Sequence, residues 1–137
     1  MRSALDIARY IINKCTKESS PISNLQLQKI LYYIQKEYLK NHEYAFSDVI
    51  EAWQFGPVVP EVYYYFCGFG AMPITSRYEI KLDNTQIIDK IILEKRGLNP
   101  WELVEETHKK GGAWDRIYQA GQGNRGEIPV EYIMQEE

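Results

Sequence analysis

The chain has 137 residues, 45% of them apolar and 26% charged, the profile of a soluble globule forming a single domain over residues 1–137. A net charge of −3 argues against a protein that coats nucleic-acid phosphates, and 13% aromatic content argues against disorder. Eleven tyrosines stand beside four Phe and three Trp. A Tyr ring packs while its hydroxyl meets water, so this excess favours a recognition surface.

Asp6 and Arg9 interrupt any apolar run at the start, so nothing there directs export, and Asp89 and Lys90 break the isoleucine-rich stretch 87–93 well short of a membrane span. Cys15 and Cys67 are far apart and form no C-x-x-C pair, which fits free thiols in a reducing cytoplasm. Ser3 with Asp6 opens a first helix whose apolar stripe is Leu5, Ala8, Ile11, Ile12 and Cys15. Ser23-Asn24-Leu25-Gln26 is a capping box for a second helix, carrying Leu27, Ile30, Leu31, Ile34 and Tyr38 and fading near Asn41.

Residues 49–55 are β-branched and aromatic and predict a strand. Gly56-Pro57-Val58-Val59-Pro60 predicts a rigid corner, because both prolines lack an N–H, and Pro60 suits the first turn of a short helix through Tyr63, Tyr64 and Phe66. Residues 75–82 alternate and predict a second strand, paired with 49–55 in a two-stranded ribbon. Asp83 or Asn84 should cap a helix bearing Ile87, Ile88, Ile91 and Ile92, and Asn99-Pro100-Trp101-Glu102 starts another, expected to reach Lys110. A short helix over 113–120, a loop over 121–126 and a last helical turn after Pro129 complete a mainly α (α+β) multi-helix domain.

No catalytic set emerges, no cofactor is implied and no metal site is predicted. His42 and His108 are the two imidazoles, and the two Cys read as small core residues; two Cys and two His without short spacing suit neither a thiolate nucleophile nor zinc. His108 beside Glu102, Glu105 and Glu106 could supply acid–base chemistry, but a solvated helix face whose end lysines offset the dipole is the simpler explanation. Residues 1–40 carry seven basic and three acidic side chains, so a helix-turn-helix with a basic face, including Lys29, Lys36 and Lys40, makes a nucleic-acid-binding regulator the alternative function. The distinctive feature is aromatic crowding: Trp53 and Phe55 before the corner, Tyr63, Tyr64, Tyr65 and Phe66 after it. Consecutive helical residues point about 100° apart, so at least one tyrosine ring must face outward.

Leu25-x-Leu27-Gln28-Lys29-x-Leu31-Tyr32, then Ala52-Trp53-x-x-Gly56-Pro57-Val58-x-Pro60-x-Val62-Tyr63, then Leu103-x-x-x-Thr107-His108 with Trp114 and Tyr118, resemble the Panacea domain family, which takes in phage-associated GepA-like proteins and SocA-like antitoxins. The resemblance implies a non-catalytic, mainly helical domain of prophages and bacterial chromosomes that neutralises a separately encoded toxin by binding it. On this reading Gln28, Tyr32, Trp53, Gly56, Pro57, Val58, Pro60, Thr107 and Trp114 are structural, with Gln28 or Lys29 tied to the backbone of the corner. The residues expected to contact the partner are Tyr63, Tyr64, Tyr65, Lys29 and His108.

Overall fold

In the computed structural model, which describes residues 2–136, the order is α1 (Ala4–Lys17), α2 (Asn24–Lys40), β1 (Glu51–Trp53), β2 (Gly56–Val58), α3 (Pro60–Phe66), α4 (Gln86–Lys95), α5 (Pro100–Thr107), α6 (Ala113–Tyr118), β3 (Gly126–Glu127) and α7 (Val130–Gln135). Single 3-10 turns follow α3 and α6. The protein is thus mainly helical with one small sheet. Among the described residues no helix is long and apolar enough to cross a membrane.

The axis of the fold is α2. Helices α1, α3, α4, α5 and α7 and strand β2 all pack on it, so ten of its 17 residues are buried. It starts as its sequence dictates: the Ser23 hydroxyl accepts the Gln26 N–H at 3.3 Å, and the Gln26 side-chain carbonyl accepts the Ser23 N–H at 2.9 Å. In α1 the Ser3 hydroxyl accepts the Asp6 N–H at 3.1 Å, and the buried stripe is Ala4, Ile7, Ala8, Ile11, Ile12 and Cys15, with Leu5 only half-buried. Asn99 caps α5 by accepting from the N–H groups of Trp101 and Glu102. Its helix stops at Thr107 instead of Lys110, because His108 leaves helical geometry. The N-cap of α4 is Thr85, not Asp83 or Asn84.

The sheet corrects the expected ribbon. Its order is β2-β1-β3, antiparallel throughout, with Trp53 opposite Gly56, Ala52 opposite both Pro57 and Gly126, and Glu51 opposite both Val58 and Glu127. Residues 75–82 form no strand. Ser76, Tyr78, Ile80 and Leu82 turn inward while their neighbours face out, so the alternation is real. The segment lies against α1 instead of a strand: the Asn13 side chain accepts the Tyr78 N–H at 2.7 Å and donates to the Tyr78 carbonyl at 2.5 Å. The corner is itself a strand, and Pro57 is tolerated because β2 is an edge.

Candidate protein-interaction site

The hairpin of β1 and β2 is held from beneath by polar side chains of α2. Gln28 accepts the Val59 N–H at 2.8 Å and donates to Asn24 at 3.0 Å, while Asn24 donates to the Tyr63 carbonyl at 3.1 Å. These bonds fix the start of α3 against α2. The Lys29 ammonium donates to the Pro57 carbonyl at 3.1 Å, the tie anticipated from the prolines. The side chain of Lys29 is fully buried, and loss of hydration lowers its pKa to about 7.

Gly56 explains the close fit of hairpin and lysine. Its φ is +120°, and a Cβ there would stand 2.8 Å from both Lys29 Cε and Thr107 Oγ1. Thr107 is buried and donates to the Leu103 and Val104 carbonyls, which keeps its hydroxyl on its own helix. His108 stacks on Trp114 with ring centres 3.7 Å apart, and Trp114 in turn stacks on Tyr118 at 4.6 Å. The Trp114 indole N–H donates to the Trp53 carbonyl at 2.7 Å and so anchors β1. Burial, with a smaller contribution from Lys29, lowers the His108 pKa, and its Nε2 is buried without a hydrogen-bond partner.

On the outer side the rings converge. Trp53 meets Tyr63 at 4.9 Å and Tyr64 at 5.9 Å between ring centres, and Phe55, in the turn of the hairpin, meets Trp101 edge-on at 5.5 Å. Phe55 is 44% exposed, Tyr64 54% and Trp101 61%, so the hairpin with α3 and α5 presents an aromatic face. Arg125 lies over Trp53 with its guanidinium carbon 4.3 Å from the ring centre, and it donates to the Tyr64 hydroxyl at 3.0 Å.

The partner residues expected from sequence therefore divide. Tyr63 and Tyr64 join the face, Tyr63 half-buried. Tyr65 points the other way, where its hydroxyl accepts from Arg9 at 3.5 Å. Buried Lys29 presents no side chain for direct contact and belongs with the hairpin's support, while His108 is half-buried and stacked on Trp114. Of the residues expected to be structural, Gln28, Gly56, Pro57, Val58 and Thr107 are buried, Pro60 opens α3, Tyr32 packs in the core and donates to Glu136 at 2.7 Å, and Trp114 is an anchor. Trp53 is only half-buried and belongs to both groups. Cys67 is exposed, correcting its placement in the core; Cys15 is buried, and both thiols are free. Trp101 and Arg125 were not foreseen, although a ring on the first turn of a capped helix is a legible signal.

The basic face expected of α1 and α2 is largely neutralised. Lys29 is buried, Lys36 pairs with Glu136 at 2.9 Å, Lys14 with Glu18 and Arg9 with Asp6. Enclosed by five helices and a strand, α2 cannot enter a nucleic-acid groove. Two of the three carboxylates near His108 are committed elsewhere: Glu106 accepts from Tyr33 and Lys95, and Glu102 from Asn99.

Fold and site together define a helical domain whose buried polar side chains hold out an aromatic hairpin. Residues 27–115 match the family model described as Antitoxin SocA-like, Panacea domain. The match begins one residue before Gln28 and ends one after Trp114, so it spans Gln28, Lys29, the hairpin, Thr107, His108 and Trp114. The chain is also similar to Antitoxin SocA of Caulobacter vibrioides (strain NA1000 / CB15N), 31% identical in an alignment 127 positions long, gaps included, that covers 81% of this chain and 68% of that protein. No solved structure matches. The chain belongs to the Antitoxin SocA-like, Panacea domain family.

Proposed function

We propose that this protein is an antitoxin that neutralises a separately encoded toxin by binding it through the aromatic face of Trp53, Phe55, Tyr63, Tyr64 and Trp101. The observation that carries the reading is the division of labour at the motif: the buried members brace the hairpin, and the exposed rings are left without intramolecular cover. Similarity to an antitoxin supplies the class of partner. Large, stiff aromatic rings are the side chains from which interface hot spots are most often built.

The test is co-expression with the product of the adjacent gene. Wild-type protein should co-purify with that toxin and restore growth. A Tyr64→Ala/Trp101→Ala double variant should keep its urea midpoint, since both side chains are exposed, yet bind at least ~30-fold more weakly. Full rescue by the double variant, or failure of every neighbouring product to bind, would remove this reading.

A further inference from the structure

Lys29 is the one charged side chain fully buried among the described residues. An ammonium has three donors; here one reaches the Pro57 carbonyl, and no described carboxylate pairs with it. Lys29 forms the floor of a cleft of about 270 Å³ whose walls include Trp53, Phe55 and Tyr63 and whose rim carries Asn124 and Arg125. None of the lining side chains is acidic. Arg125 is the exposed cation of the rim; its hydrogen bond goes to a neutral tyrosine hydroxyl, and no described carboxylate pairs with it.

The backbone bears out the special position of Arg125. Its φ is +68°, a region that favours glycine, and its N–H is fixed to the Ala52 carbonyl at 2.7 Å. The strained backbone holds a long cationic side chain across the Trp53 ring, where it meets the partner-facing surface. A cleft with aromatic walls, a buried cation below and a second cation at the mouth is complementary to a short apolar stem ending in an anion.

We propose that this cleft is a carboxylate-binding site that receives a glutamate or aspartate side chain of the protein partner, its methylenes against the rings of Trp53, Phe55 and Tyr63 and its carboxylate at Arg125 and Asn124 above Lys29. The acidic side chain would need no salt bridge to Lys29, because the field of a buried ammonium acts without direct contact through a low-dielectric interior. Binding and protonation are then linked: a carboxylate at the mouth favours the charged form of Lys29, and the charged form favours the carboxylate. The occupant rests on the antitoxin reading; the carboxylate site itself does not.

The experiment uses the full chain and two peptides, Ac-Gly-Glu-Gly-amide and its glutamine isostere, titrated to tens of millimolar and followed by NMR at the Lys29 ε-methylene and the Trp53 indole N–H. The glutamate peptide should move both signals and raise the midpoint of Lys29 titration by about one pH unit, and the glutamine peptide should do neither. Arg125→Gln, at an exposed position, should weaken the glutamate peptide by about tenfold. Lys29→Met serves as the second variant and should weaken it as well, with the signal read at Trp53. Equal responses to the two peptides, an unmoved Lys29 midpoint, or unaltered binding to Arg125→Gln would overturn the proposal. If the glutamate peptide binds as expected but no toxin does, the carboxylate site stands and only the antitoxin reading, with its occupant, falls.

Discussion

A lysine sealed beneath the hairpin, against Gly56 and Thr107, is unfavourable unless something holds it there, and Lys29 has only the Pro57 carbonyl. Lowering its pKa from the ordinary 10.5 to about 7 corresponds to ~5 kcal/mol of lost hydration when the group is charged. The folded-state pKa lies below the unfolded one. Between about pH 7 and 9 Lys29 therefore binds more protons in the unfolded chain and stability rises with pH, by at most ~1.4 kcal/mol per unit, until the raised pKa values of Cys15 and of Tyr10, Tyr32 and Tyr33 oppose it. Below pH 7 the penalty is present in full. The His108 pKa is also lowered and acts in the same direction, but only below its ordinary value of 6.5, so it leaves this window clear. Lys29→Met should flatten the slope between about pH 7 and 9. At pH 6.5 it should be at least as stable as wild type, since relief of ~5 kcal/mol outweighs the ~1–3 kcal/mol of an unpaired Pro57 carbonyl. Urea unfolding across that range measures both, and a wild-type curve flat from about pH 7 to 9 would refute the assignment. The sequence allowed Lys29 to be either a tie to the corner or a partner contact. Burial, which periodicity at a single helical position does not report, decided between them.

At the scale of elements, most helices are legible because their ends carry chemistry: Ser3, Ser23 and Asn99 each accept a first-turn N–H as their sequences require. The sheet was harder to read. Period-2 alternation reports that alternate side chains face a core, and residues 75–82 satisfy it against a helix, with Asn13 standing in for a neighbouring strand. The true partner of β1 was hidden because two prolines argue against a strand interior, and edge strands are the exception. The Tyr63 to Tyr65 split was legible in outline, since helix geometry alone forces the rings apart, but which ring joins Trp53 depends on where α3 docks. The hairpin depends on one residue. Gly56→Ala forces an L side chain into φ +120° and drives its Cβ to 2.8 Å from Lys29 Cε and Thr107 Oγ1. The expected loss is ~3 kcal/mol or more, seen as a lower urea midpoint with partner binding lost in parallel. A variant within about half a kcal/mol of wild type would show that the hairpin can shift to make room.

At the scale of the whole molecule, the C-terminal helix closes the structure through Glu136. One carboxylate oxygen accepts from the Tyr32 hydroxyl at 2.7 Å and from Lys36 at 2.9 Å on α2, and the other accepts the Ala113 N–H at 3.0 Å at the start of α6. Gly112, the N-cap of α6, has no side chain to cap with, so a residue from the far end of the chain supplies the acceptor and the favourable charge. Burial pushes the Glu136 carboxyl up, but Lys36, Tyr32 and the Ala113 N–H more than offset it, and its pKa lies below the usual carboxylate value. A depressed folded-state pKa contributes stability that is present above pH 4.5 and is lost as pH falls through the folded value. Glu136→Gln keeps the shape and removes the charge, leaving Lys36 without this carboxylate partner. It should cost ~3 kcal/mol at pH 7, a large part of the ~5–15 kcal/mol that holds a domain of this size. The gap between the two proteins should narrow as pH falls below 4, because wild type then loses the same charge. Urea unfolding at pH 7 and pH 3 distinguishes this from simple loss of packing, which would give the same deficit at both. Because α6 packs on β1, α7 packs on α6 and the aromatic face lies on the hairpin of β1, the variant should also bind the partner more weakly in proportion to the fraction unfolded. Tyr64→Ala/Trp101→Ala should lose binding without that loss of stability.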